Sequence, residues 1–315
     1  MGGSQTAEKT FDIVALGEPM VEFNQVPTDH RLYKQGFGGD TSNFAVAASR
    51  QGARVAYITK LGHDAFGESL LALWREEGVD PSGVAIDETA PTGMYFVTHS
   101  AAGHAFAYTR AGSAASRMKR DDVPVEIIAR SRYLHVSGIS QAISESACDA
   151  VAYAVERARA LGVKVTYDPN LRLKLWSLDR AKAAILATAA VSDYFLPSLD
   201  DVRTLSGLDD PEAIHDWCLK LGAKTVTLKI GSKGVITGDG TNVWRIPGNP
   251  VNCVDATGAG DCFDGAFVAR LAAGDSLADA ARYANAAAAL TTTGYTAIEP
   301  IPRPDAVRAM LARAG

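Results

Sequence analysis

Short apolar runs alternate along this chain with longer stretches whose apolar positions recur at helical spacing. The runs at 12–17, 54–61, 133–138, 164–170, 194–197 and 225–230 are nearly continuous in hydrophobic residues. Strands of a parallel sheet covered on both faces have this pattern, whereas a half-exposed strand alternates. Between them, residues 42–51, 65–77, 145–161, 180–189 and 211–221 read as helices, and 263–271 continues as an apolar helical segment. Alternating strand–helix units predict an α/β fold, a doubly wound and mainly parallel sheet with helices on both faces. Ligands of such a sheet collect at the carboxyl ends of its strands.

Two places break this rhythm. Residues 18–37 and 92–110 hold alternating, β-like segments and no convincing helix. Within the second, 94–97 and 105–108 are separated by Ser100, Ala101, Ala102 and Gly103, which reads as a hairpin. Together the two excursions predict a small β-sheet lid over the edge of the main sheet. No internal repeat or low-complexity linker is present, and 284–289 is dense in alanine, a strong helix former. The expectation is therefore a single domain over 11–313, preceded by a polar, patternless and disordered tail at 1–10.

Composition narrows the class. The 315 residues are 47% hydrophobic and 21% charged, ordinary for a globular protein with a sizeable core. A net charge of -5 argues against a basic nucleic-acid surface. Cys148, Cys218, Cys253 and Cys262 show no CxxC or metal-ligand spacing and read as reduced thiols of a cytoplasmic protein. No apolar run approaches the roughly 18–20 residues that span a bilayer, and no signal peptide is visible, so no membrane partner is expected.

The strongest chemical signal is Asp255-Ala256-Thr257-Gly258-Ala259-Gly260-Asp261, which opens the apolar helical segment. Small residues there leave backbone N–H groups bare at a helix start, where unpaired donors and the helix dipole both favour an anion. An acid would repel that anion, so Asp261 needs a reason. The reading is that it accepts a proton from a hydroxyl attacking a bound phosphate. A glycine-rich loop capping a core helix would use the same residues. Neither GxGxxG nor GxxxxGK[ST] occurs, which sets aside a dinucleotide dehydrogenase and a P-loop enzyme.

Other turns add weaker signals. The run 225–234 is a strand leading into Gly231 and Gly234, whose backbone suits a base or phosphate, or merely a tight β-turn. Gly36-Phe37-Gly38-Gly39-Asp40-Thr41-Ser42-Asn43 precedes a helix and offers polar groups for sugar hydroxyls, or plain capping. Arg110 ends the lid hairpin, and Arg172 follows a core strand in Asp168-Pro169-Asn170-Leu171-Arg172. Two arginines aimed at one pocket suit a carboxylate; each taken separately is equally well a surface ion pair.

With these residues in view, the chain resembles the ribokinase-type (PfkB) sugar kinases. Gly38–Asn43 and Asp255–Asp261 are similar to that family's two signatures in order, separation and surrounding pattern, over about 11–313. Within it, Gly17-Glu18-Pro19-Met20-Val21-Glu22-Phe23, the run 108–116, and Asp168–Arg172 with Leu175-Trp176 resemble the 2-keto-3-deoxygluconate kinases. The resemblance implies a ribokinase-like fold and ATP-dependent transfer to an acidic keto-sugar, with Asp261 as base and Gly258, Ala259 and Gly260 as anion hole. It places Tyr95, Tyr108, Arg110 and Arg172 on the sugar, with Gly38 and Asn43 on its hydroxyls. On the nucleotide it places Asn170, Ser198, Lys229, Gly231, Gly234 and Asn285.

Where the family often has Asn-x-x-Glu, this chain has Ser198-Leu199-Asp200-Asp201. Ser198 then keeps a hydroxyl near the phosphates, and Asp201 a carboxylate near magnesium-bound water. ATP and Mg2+ are the implied co-reactants, and a monovalent cation stays open. So do a neutral-sugar kinase, a non-catalytic sugar or nucleotide sensor on the same fold, and a homodimer or higher homo-oligomer formed through the lid's uncovered strand edges.

Overall fold

The computed structural model describes residues 8–26, 28–100 and 103–314. Residues 1–7 of the expected tail and the tip of the lid hairpin, 101–102, lie outside the described residues. From the N-terminus, β1 (Phe11–Leu16) enters the first excursion, β2 (Met20–Val26) and β3 (Asp29–Gly38). Next come α1 (Asp40–Arg50), β4 (Val55–Gly62), α2 (Ala65–Glu76) and β5 (Val79–Asp87). The second excursion is β6 (Met94–Ser100) and β7 (Gly103–Thr109). The chain continues through α3 (Val125–Ala129), β8 (Ser131–Ser137), α4 (Gly138–Ala142), α5 (Glu145–Ala160), β9 (Lys164–Asp168), α6 (Leu178–Ala189) and β10 (Tyr194–Phe195). It ends with α7 (Leu199–Ser206), α8 (Pro211–Lys220), β11 (Thr225–Lys229), β12 (Gly234–Gly238), β13 (Val243–Pro247), α9 (Ala259–Ala273), α10 (Leu277–Thr291) and α11 (Pro304–Ala314).

Nine strands form the main sheet in the order β13-β12-β11-β10-β9-β8-β1-β4-β5. It is parallel from β5 to β11, and β12 and β13 close it antiparallel. Successive residues of β1 feed opposite faces, as strand geometry requires. Ile13 and Ala15 join a core with Phe44, Phe267 and Ala284 of α1, α9 and α10. Val14 and Leu16 join the other, with Val151, Ala154 and Ile185 of α5 and α6. Burial on both faces is why these strands read as unbroken apolar runs.

The lid is a separate sheet in the order β3-β2-β6-β7. It comes from the two excursions at 18–37 and 92–110. Register places Gly36, Glu22, Tyr95 and Tyr108 in one row across its strands. Three main-sheet strands lie outside the predicted runs: β12 is buried but only five residues long and opens on the glycine turn after β11, and the other two share one reason. β5 and β13 lie at the sheet edges, are only partly buried, and in β5 carry Pro81, which an edge tolerates. Among the described residues no helix is long and apolar enough to cross a membrane.

Candidate active site

The start of α9 forms the floor of the site. Gly258 caps it in the left-handed region at φ 74 with no side-chain cap. A Cβ there would sit 3.0 Å from the Ala297 carbonyl oxygen and 3.1 Å from its Cβ, so glycine answers both strain and space. The Asp255 carboxylate folds the turn by accepting from the Thr257 N–H at 2.9 Å and hydroxyl at 2.7 Å. Of the expected anion hole, Ala259 is a correction: its N–H donates to the Ala256 carbonyl at 3.2 Å. Among the described residues, the N–H groups of Gly258, Gly260 and Asp261 have no such acceptor. They remain bare donors at a dipole's positive end.

Asp261 sits in the first turn of α9 and accepts from the Asn43 amide of α1 at 2.8 Å. Burial, and then the charge of Asp40, push its carboxyl up to about 7, against the stabilising Asn43 bond. The two helices meet closely because Gly265 of α9 lacks a side chain. A Cβ there would lie 2.4 Å from the Phe44 carbonyl oxygen.

Asp40 opens α1 from the glycine turn. One oxygen takes the Thr41 N–H at 2.8 Å and the other the Asn170 amide at 3.0 Å. Asn170, expected on the nucleotide, therefore ties two turns together. Its positive φ of 33 and its N–H bond to Asp168 at 3.1 Å hold it there. Gly38 makes room for Tyr95, since a Cβ would approach the Tyr95 hydroxyl to 2.4 Å. That hydroxyl donates to buried Glu22, and the exposed Tyr108 ring packs 5.8 Å from the Tyr95 ring.

The arginines do not act as a matched pair. The Arg110 guanidinium donates to Glu18, whose side chain is wholly buried and also takes the Ser113 hydroxyl at 3.1 Å. A buried guanidinium without a counter-charge would be costly, and Glu18 supplies it. Arg172 is exposed; its guanidinium donates to the Leu171 carbonyl at 2.9 Å, and its charge acts on Asp40 and Asp201. Among the described residues, Arg172 forms no ion pair within 4.0 Å. Of the two arginines, Arg110 is thus neutralised by Glu18 and Arg172 is open.

The nucleotide-side expectations separate in the same way. The Lys229 ammonium donates to Asp168 at 3.0 Å and to the Asp264 carboxylate, whose oxygens lie at 3.0 and 2.8 Å. A Cβ on Gly234 would meet the Ile246 carbonyl oxygen at 2.0 Å, so its close backbone approach is to β13, whereas Gly231 faces open space. Asn285 donates to the Pro247 carbonyl at 2.7 Å. Ser198 caps α7 by accepting from the Asp201 N–H at 3.2 Å. Burial, then the charge of Asp168, push Asp201 up to about 6.

Comparison with known proteins decides what this geometry belongs to. Residues 10–304 match the sequence profile of the pfkB family carbohydrate kinases. The chain belongs to that family. It is 36% identical to a 2-dehydro-3-deoxygluconokinase of Thermoproteus tenax over 96% of this chain and 94% of that one. It is 35% identical to Fructokinase-1 of Zea mays over 92% and 94%. The solved structure of a putative ribokinase II from E. coli in complex with ATP and Mg2+ superposes with a TM-score of 0.89 at 27% identity, covering 96% of this chain and 99% of that one.

Several groups that shape this candidate site were not singled out in the sequence. Asp264 lies in the apolar stretch after Asp261, and an acid inside such a run is a readable sign of a buried partner. Glu18 and Glu22 lie in a quoted motif, but their partners are 92 and 73 residues away. No local pattern announces such a pairing.

Proposed function

We propose that this carbohydrate kinase phosphorylates an acidic keto-sugar, 2-keto-3-deoxygluconate, on its 6-hydroxyl. The hydroxyl oxygen attacks the γ-phosphorus of ATP, the bond to the β–γ bridging oxygen breaks, ADP leaves, and the hydroxyl proton passes to Asp261. One observation carries this reading: a half-buried carboxyl, pushed up to about 7, lies beside bare N–H groups at the start of α9. Those donors suit the charge that develops on the transferred phosphoryl group. The lid row ending in Tyr95 and Tyr108 covers the sugar and excludes water as a competing acceptor.

Magnesium fits as a partner of ATP rather than as a resident of the protein. Among the described residues no three His, Cys, Asp or Glu side chains converge on one point. Asp201 supplies a single carboxylate suited to a water-coordinated hard cation. Bound with ATP, the ion would neutralise phosphate charge.

Arg172 supports the acidic acceptor, because its charge is not cancelled by an ion pair. The Glu18–Arg110 pair supports the second reading, a neutral-sugar kinase like the maize fructokinase, because it removes one of the two expected cations. A screen of sugar acids and neutral sugars with ATP, Mg2+ and ADP release as readout separates them. Preferential turnover of 2-keto-3-deoxygluconate is expected. Faster turnover of fructose or ribose overturns the acidic acceptor and leaves the kinase chemistry standing.

A further inference from the structure

Lys229 is a half-buried cation, and its ammonium is held between two carboxylates of the protein. Its contacts go to Asp168 at the end of β9 and to both oxygens of Asp264 on α9. Two oxygens of one carboxylate subtend too small an angle to take two separate ammonium protons, so the Asp264 contacts share one proton and Asp168 takes a second. Its Nζ also lies 3.7 Å from where a Gly260 side chain would begin, directly under the anion hole. The backbone of β11 is itself pinned, since the Lys229 N–H donates to the Pro197 carbonyl at 2.8 Å.

The bonds continue in both directions. Asp168 also accepts the Asn170 N–H, and the Asn170 amide donates to Asp40 at the start of α1. Asp264 lies one turn along α9 from Asp261. A continuous chain of polar contacts therefore runs Asp40–Asn170–Asp168–Lys229–Asp264, from the sugar-side turn to the helix that presents the bare N–H groups. Lys229 is its joint. Without that ammonium, two buried carboxyls would face each other unscreened.

We infer that Lys229 is a positioning residue for phosphoryl transfer, holding the first turn of α9 in register with the sugar-side turn through Asp264 and Asp168 without binding ATP itself. This rests only on the carbohydrate-kinase activity and not on which sugar is the acceptor, so the assay uses whichever acceptor the screen identifies. The variants are Lys229→Met, Asp264→Asn and the two combined; each is checked for folding by circular dichroism and melting before kinetics. Asp264→Asn keeps the side chain's shape but turns an amide donor toward the ammonium.

Each single variant is expected to lower kcat by about 10²-fold, the cost of a roughly 1 Å misplacement. The KM for ATP should move by less than about threefold, as for an interaction that acts in the transition state. The double variant should lose no more than about the worse single one, because both break the same tie. A KM for ATP raised about tenfold or more at unchanged kcat would make Lys229 an ATP ligand and overturn the inference. Unchanged kcat on folded protein with only a lower melting temperature, or additive losses in the double variant, would also overturn it. Should Lys229→Met fail to fold, Asp264→Asn decides alone: unchanged kcat overturns the inference and a loss of kcat with steady KM supports it.

Discussion

A carboxylate becomes a useful base near neutral pH only when its surroundings raise its proton affinity without leaving it protonated. At Asp261 burial and the Asp40 charge raise it, the Asn43 amide restrains it, and the balance falls at about 7. As the proposed base, Asp261 works deprotonated, so kcat/KM should rise with pH through about 7 and level off above. Asn43→Leu removes the donor that favours the carboxylate, which moves the midpoint alkaline; a pH–rate profile with an unmoved midpoint would contradict the assignment. Asp261→Asn should cut turnover by roughly 10²–10⁴-fold with ATP binding nearly unchanged, checked by steady-state kinetics and calorimetry. Arg172→Leu tests the acceptor: a lost charged hydrogen bond of about 1.5–3 kcal/mol should lower kcat/KM for a sugar acid by about tenfold or more. Equal losses on acidic and neutral sugars would remove Arg172 from specificity.

Helix placement sets those residue geometries, and α1 against α9 is the contact that matters. Asn43 and Asp261 come within 2.8 Å because Gly265 lets α9 press on the α1 backbone at Phe44 and Ala48 and on the Ala47 methyl. Alanine is the better helix former, so propensity alone predicts that Gly265→Ala stabilises. Packing predicts the reverse, because the new methyl meets backbone at 2.4 Å and the helices must separate. The expected result is a loss of about 1–3 kcal/mol in denaturant unfolding, with activity falling further than the folded fraction explains. A more stable variant would show that the contact yields easily. The sequence made both helices partly legible, since 42–51 and the apolar stretch after Asp261 carry the right spacing. It could not show that they touch, because the helices are more than 200 residues apart and Gly265 looks locally like a weak point. The doubly buried strands were legible for the opposite reason: burial on both faces leaves a continuous apolar record. β13, exposed at the sheet edge, leaves none.

Across the whole molecule, the ties invisible in the sequence are the long-range charged ones. Glu18 to Arg110 joins the turn after β1 to the end of the lid, and Lys34 to Glu299 joins the lid to the loop before α11. The first is buried and the second exposed, so only the first is expected to matter for stability. Charge also decides how metal enters. Asp40, Asp168, Asp201, Asp261 and Asp264 make one end of the site acidic and act electrostatically on one another, with Lys229 and Arg172 as the nearby cations. A polyanionic nucleotide approaching that end needs a divalent cation to offset repulsion, yet the described residues build no cage of three such ligands. The metal should therefore arrive with ATP and leave with ADP. Chelation by EDTA is expected to abolish turnover, and added Mg2+ to restore it, while the melting temperature of the nucleotide-free protein stays unchanged. A resident structural ion would instead stabilise the folded state by mass action, so EDTA would lower that melting temperature without ATP. Melting curves with and without EDTA, recorded before any nucleotide is added, separate the two arrangements.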